Sequence, residues 1–155
     1  MIKESPQYFE EVLNILNKYL EAKSLRKTSE RNTILEEIYK RNDHFDADTL
    51  YFDINQKKFN LSRATIYNTL ELFLDCGLVK RHQFGKNIAV YEKSFGYKQH
   101  DHLICINCKK VLEFCDPRIQ QIKQTTGEIL SFKIKHHSLH LYGECLNPDC
   151  QEKIK

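Results

Sequence analysis

The stretch LSRATIYNTLELFLDCGLVKRHQFGKNIAVYE, residues 61 to 92, decides how the first half of the chain folds. Ser62 is an N-cap type residue, and Ile66, Leu70, Phe73 and Leu74 then recur at helical spacing until Gly77, a left-handed stop. The early outward positions of that helix are Ala64, Tyr67 and Asn68, with Arg63 and Thr65 beside them. Two short β-like runs follow, separated by Gly85-Lys86-Asn87, which reads as a hairpin. A capped helix that leads into a basic hairpin is the pattern of a winged helix.

Upstream, Phe9, Val12, Leu13, Leu16, Tyr19 and Leu20 share one side of a helix over residues 7 to 23. A second helix opens after Thr28-Ser29 and carries Ile34, Leu35, Ile38 and Tyr39, and Asp46 caps a third with Ala47, Leu50, Tyr51 and Ile54. Short polar and aromatic residues at the start of a capped helix suit base edges in the major groove. A helical domain with a hairpin also serves as a packing module, so the pattern alone leaves DNA binding open. Net charge, at +3, does not decide it, although Lys18, Lys23, Arg26, Lys27 and Arg31 crowd one segment and Lys80, Arg81 and Lys86 another.

Periodicity lapses from Ser94 to Gln99, which divides the chain into a domain over residues 1–91, a hinge over 92–99 and a domain over 100–155. In the second domain HLICI and KVLEF read as strands around a tight turn. Asp116-Pro117 starts a helix to about Leu130, and FKIKHHSLHLYG alternates as a strand. The fold class expected is therefore α+β, a winged helix followed by a small α/β domain. No signal-peptide core and no membrane-spanning apolar run is present, so a soluble, cytoplasmic protein is expected, with its six cysteines reduced.

Reduced cysteines in close pairs point to metal. Cys105-x2-Cys108 and Cys145-x4-Cys150 have the spacing that places four thiolates on a structural zinc. A redox pair would open a helix after a strand, whereas strand follows Cys108. A closed four-sulfur site has no open position for catalysis, so its role is to clip the C-terminal tail to the small domain. His100 and His102 alternate, with Asp101 between them on the opposite face and Glu113 on the partner strand, a set that suits a divalent first-row metal. A zinc deaminase needs H-x-E and P-C-x-x-C, neither of which is here, and no other catalytic constellation stands out; the chain is not expected to be an enzyme.

LSRATIYNTLELFLDCGLVKR, followed by QHDHLICINCKKVLEF and LYGECLNPDC, closely resembles the ferric uptake regulator family of bacterial metal-dependent transcription factors, from about Leu25 to Cys150. The resemblance implies an N-terminal winged helix on operator DNA and a C-terminal domain that forms a homodimer. By position Cys105, Cys108, Cys145 and Cys150 match structural zinc ligands, while His44, Glu92, His100, His102 and Glu113 match a regulatory site at the domain junction. Fe(II) is the metal implied there, with Mn(II), Co(II) or Zn(II) as substitutes, and repression of iron uptake genes the function. Relatives that sense peroxide tend to carry Asp where Glu113 stands. Zinc sensors commonly have a cysteine near the hinge, where this chain has Glu92.

A further family site is matched by Gln99, Asp101, Gln120 and His137, but two neutral amides stand where a His and a Glu are usual. A weak or absent site is expected. Lys109 replaces the usual glycine after Cys108, which implies a strained turn. Tyr67 matches a residue that meets thymine methyls. Asn68, where many members have arginine, joins Arg63, Thr65 and Lys86 as a DNA-contact candidate.

Overall fold

A computed structural model describes residues 6–84, 89–96, 99–146 and 150. The hairpin tip with Lys86 lies outside the described residues, as do positions 97 and 98 of the hinge. The chain divides into two compact units, Met1–Tyr97 and Lys98–Lys155.

The first unit runs α1 (Pro6–Ala22), α2 (Ser29–Tyr39), α3 (Ala47–Gln56), α4 (Arg63–Asp75), β1 (Val79–Gln83) and β2 (Ala89–Lys93). Three of its helices start on side-chain caps. Thr28 Oγ1 accepts from the Arg31 amide at 3.4 Å, Asp46 Oδ1 from that of Thr49 at 2.7 Å, and Ser62 Oγ from that of Thr65 at 3.0 Å. Each satisfies an amide that the first helical turn leaves unpaired.

Helix α4 ends where Gly77 takes φ +73°. The Leu78 amide reaches back to Phe73 O at 2.9 Å and that of Gly77 to Leu74 O at 3.1 Å. That pair of bonds is a Schellman motif. Leu78 and Phe73 are both fully buried, so the stop is also a piece of the core. Around them pack Val12, Leu16 and Leu20 of α1, Ile34, Leu35 and Ile38 of α2, Leu50 and Ile54 of α3, and Ile66 and Leu70 of α4. Strands β1 and β2 pair antiparallel from Val79↔Lys93 to Gln83↔Ala89, forming the wing.

The second unit contains β3 (Asp101–Cys105), β4 (Val111–Phe114), α5 (Pro117–Leu130) and β5 (His140–Gly143). Its sheet has the order β4-β3-β5, with β3–β4 antiparallel and β3–β5 parallel, and α5 forms the crossover. Asp116 caps α5 by accepting from the Arg118 amide at 2.9 Å, with Pro117 in the first turn. At the other end the Phe132 amide returns to Gly127 O at 2.8 Å. A Cβ on Gly127 would lie 2.7 Å from Phe132 O, so only glycine permits that approach.

The strand expected from Phe132 onward begins only at His140. Alternation persists across Phe132–Leu139, but β3 is five residues long and pairs its parallel edge with His140–Gly143 alone. The Phe132 amide is already used in ending α5, and the carbonyl of His137 accepts from the Gln99 side chain at 3.0 Å. A periodic sequence without a neighbouring strand has no ladder to join.

Candidate metal centres

Cys105 ends β3, Cys108 lies in the turn after it, and Cys145 and Cys150 follow β5. The parallel β3–β5 pairing therefore brings the two halves of the motif side by side, and the Ile106 amide donates to Gly143 O at 2.8 Å across the junction. The sulfurs of Cys105 and Cys150 are 3.5 Å apart and those of Cys108 and Cys145 3.8 Å. A tetrahedron with metal–sulfur bonds of about 2.3 Å has edges of about 3.8 Å, so the quartet fits zinc. These separations are far too long for S–S bonds.

The backbone amide of Cys108, with those of Cys145 and Asn107, holds the Cys105 thiol down to about 6. Beside it, hydrogen bonding with the Cys105 sulfur pushes Cys145 up to about 12. One thiolate thus forms readily and discourages the next, a conflict that a central dication resolves. Lys109, in the turn, sits at φ +61°, the left-handed conformation that the missing glycine implied.

The first unit gathers a second group of donors. His44 lies in the loop between α2 and α3, and Glu92 on β2. His44 Nε2 is 3.1 Å from Glu92 Oε2. Three consecutive residues of β2 hold that loop. Tyr91 exchanges backbone bonds with Phe45, at 3.0 and 2.7 Å, Glu92 meets His44, and Lys93 Nζ donates to Tyr39 O at 3.1 Å and Asn42 Oδ1 at 3.0 Å. Lys93 is buried, and its ammonium lies against the C-terminal carbonyl end of α2, where a positive charge is favoured.

His82 joins this group although the sequence reading passed it over. Its Nε2 is 2.9 Å from Glu92 Oε1. The hairpin register places it there: β1 and β2 are antiparallel, so His82 lies two residues along from Lys80, the partner of Glu92, and on the same face.

In the second unit His100 and His102 have ring centroids 4.9 Å apart, and His102 is directly opposite Glu113 on β4. His100 Nε2 lies 3.8 Å from Glu113 Oε1, an ion-pair distance too long for a hydrogen bond. His140, opposite His102 on β5, places its ring 5.6 Å from that of His102. Buried Asp101 meets His137, with Nε2 3.2 and 3.3 Å from its two oxygens. The Gln99 amide is spent on the His137 carbonyl, and Gln120 is exposed.

Among the DNA-contact candidates, Tyr67 and Asn68 project outward from α4. Thr65 is half-buried and shares its hydroxyl with the Ser62 cap at 2.9 Å. Arg63 packs its guanidinium over Tyr51 and Phe52, at 4.7 and 5.6 Å from the ring centroids, and pairs with Asp48.

A family model described as the ferric uptake regulator family matches residues 22–142. The chain is 34% identical to the ferric uptake regulation protein of Haemophilus ducreyi, over 89% of this chain and 95% of that one. It is also 34% identical to the peroxide operon regulator of Bacillus subtilis, over 86% and 90% of the two chains. Among solved structures, the Vibrio cholerae ferric uptake regulator aligns with a TM-score of 0.70 at 34% identity, covering 83% of this chain and 98% of that one. The Helicobacter pylori ferric uptake regulator aligns at 0.80 over 92% and 93% of the chains; at 24% identity that likeness concerns the fold.

Proposed function

Because the chain belongs to the ferric uptake regulator family of metal-responsive transcription regulators, we propose that it is a homodimeric, Fe(II)-dependent repressor of iron uptake genes in the cytoplasm. The observation that carries the metal reading is the donor chemistry. His44 and Glu92 in the first unit, and His100, His102 and Glu113 in the second, offer three imidazoles and two carboxylates and no thiol. Such a nitrogen–oxygen set suits Fe(II), with Mn(II), Co(II) and Zn(II) as competitors.

A divalent ion bound to both half-sets supplies a link whose occupancy follows metal concentration. His44 and Glu92 are already held together by β2, so the first unit has little left to organise. The second unit contributes His102 and Glu113 as register partners on the β3–β4 ladder, with His100 one residue before β3. Differential affinity for one arrangement of the two DNA-binding domains shifts the population toward it. The 3.1 Å separation of His44 Nε2 and Glu92 Oε2 fits two adjacent ligands of one ion, since donors about 2.1 Å from an octahedral centre are about 3.0 Å apart.

Tyr67, Asn68, Arg63 and Thr65, with Lys86, are the proposed contacts to DNA. Exposed Ile122, Ile129, Leu130 and Phe132 in the second unit support a second copy of the chain as partner. The four-cysteine quartet is proposed to keep zinc permanently.

The decisive experiment is a mobility shift on candidate promoters with protein that holds only structural zinc, then with defined Fe(II), Mn(II) or Zn(II). Equal affinity with and without added metal ends the sensing proposal. Similarity to the Bacillus peroxide regulator makes peroxide sensing the second reading. Oxygen added to His44 or His100 after peroxide treatment of the Fe(II) form, read by mass spectrometry, would establish it.

A further inference from the structure

Glu92 is gripped at both ends of its carboxylate. His44 Nε2 faces Oε2 at 3.1 Å, and His82 Nε2 faces Oε1 at 2.9 Å. The two imidazoles differ in how they are held. His44 rises from a loop and meets the Phe84 ring edge-on, 70° between planes and 5.8 Å between centroids, whereas His82 comes from β1 and lies parallel to the same ring, 3° between planes and 5.5 Å between centroids. An ionised carboxylate only accepts, so with Glu92 ionised this bond requires the tautomer in which Nε2 of His82 is the donor. The side chains of His82 and Glu92 are 13% and 7% exposed, which leaves little water to compete for either.

We infer that His82 is a positioning residue that occupies Oε1 of Glu92 and thereby presents the carboxylate to metal through Oε2 alone. The inference rests on the reading of Glu92 as a regulatory ligand. A carboxylate free at both oxygens can bind one ion through either or both of them, which changes the coordination number by one. With Oε1 held by a ring that is fixed by stacking, Glu92 supplies a single oxygen in a set direction. Coordination number separates metals that prefer four ligands from those that accept more, so His82 acts on selectivity as well as affinity. Hydrogen-bond partners of metal-bound side chains have this effect generally, at about 10- to 100-fold in affinity.

The test uses the full-length protein with its structural zinc in place, titrated with Co(II), and two near-isosteric variants. His82→Phe keeps the stacking on Phe84 but has no donor; His82→Gln restores an N–H. The expected result is a Kd for Co(II) weakened about 10- to 100-fold in His82→Phe, with most of that loss recovered in His82→Gln. X-ray absorption should count the same number of imidazole ligands in all three proteins, with one more oxygen in His82→Phe. Unchanged affinity in His82→Phe overturns the inference. So does an imidazole count lower by one, which would make His82 a ligand. Failure of the underlying reading looks different: the unaltered protein itself would take up no Co(II) beyond its structural site.

Discussion

Replacing Cys145 with alanine should unfold the second unit while leaving the first intact. Among the described residues Ile104 is the second unit's only buried aliphatic side chain, apart from the cysteines at the metal site, whereas Ile122, Ile129, Leu130 and Phe132 are more than half exposed. At about 0.05–0.15 kcal/mol per residue a domain of this size has a margin of about 3–9 kcal/mol, and so sparse a core belongs at the bottom of that range. Structural zinc binds with about 10–16 kcal/mol, or about 2.5–4 kcal/mol for each of four sulfurs. Losing one sulfur therefore removes as much as the unit holds in reserve. The assay is thermal melting by far-UV circular dichroism at low protein concentration, where association adds least, with zinc content measured in parallel. Cys145→Ala should lose its zinc, along with the helical and strand signal of α5 and the β3 sheet, before the first unit melts as a separate cooperative step. A zinc-free Cys145→Ala protein whose second unit melts as in the unaltered chain would refute the reasoning.

Other expectations follow from individual contacts. Lys109→Gly removes left-handed strain from the zinc turn and should raise the second unit's melting temperature, with a gain of about 1 kcal/mol by denaturant titration. Arg63→Ala should weaken operator binding and lower the slope of log K against log salt by about one, if Arg63 leaves Asp48 for a phosphate; an unchanged slope assigns Arg63 to the Tyr51–Phe52 stack alone. Burial pushes the Tyr39 hydroxyl well above the usual tyrosine range while it donates to Leu78 O at 2.7 Å. The unfolded chain ionises first, so the contribution of Tyr39 is complete below about pH 10 and is lost as pH rises beyond it. Urea titrations at pH 8 and pH 11 should show Tyr39→Phe less stable at the lower pH, and the gap narrowing at the higher.

Local signals were the legible part of the fold. Thr28, Asp46 and Ser62 announced their helices because a cap acts within three residues, and Gly77 announced a stop because few other residues adopt its φ. Zinc spacing was legible for the same reason, each pair being close in sequence. The parallel β3–β5 pairing that unites the pairs was not, since nothing local in HLICI or HLYG records which strand lies beside which. His82 escaped because its importance depends on hairpin register, and Phe132–Leu139 misled because alternation describes a strand's faces and is silent about neighbours. Tyr51 reads by periodicity as an interior position of α3 beside Leu50 and Ile54, whereas the structure lays the Arg63 guanidinium across its ring.

Tyr91, Glu92 and Lys93 work as three adjacent teeth in a single comb. Because each grips a different part of the segment from Tyr39 to Phe45, one by backbone, one by a histidine and one by a carbonyl and an amide, they share one register. A residue inserted or deleted in the wing upstream of β2 that shifts this strand by one place moves it by about 3.3 Å and turns every tooth to the opposite face. Changes in wing length and changes in the His44–Glu92 contact are therefore not independent variables for this protein. A variant with an altered wing can keep the His44–Glu92 pair, the proposed half of the regulatory site, only if the strand downstream returns to the same phase.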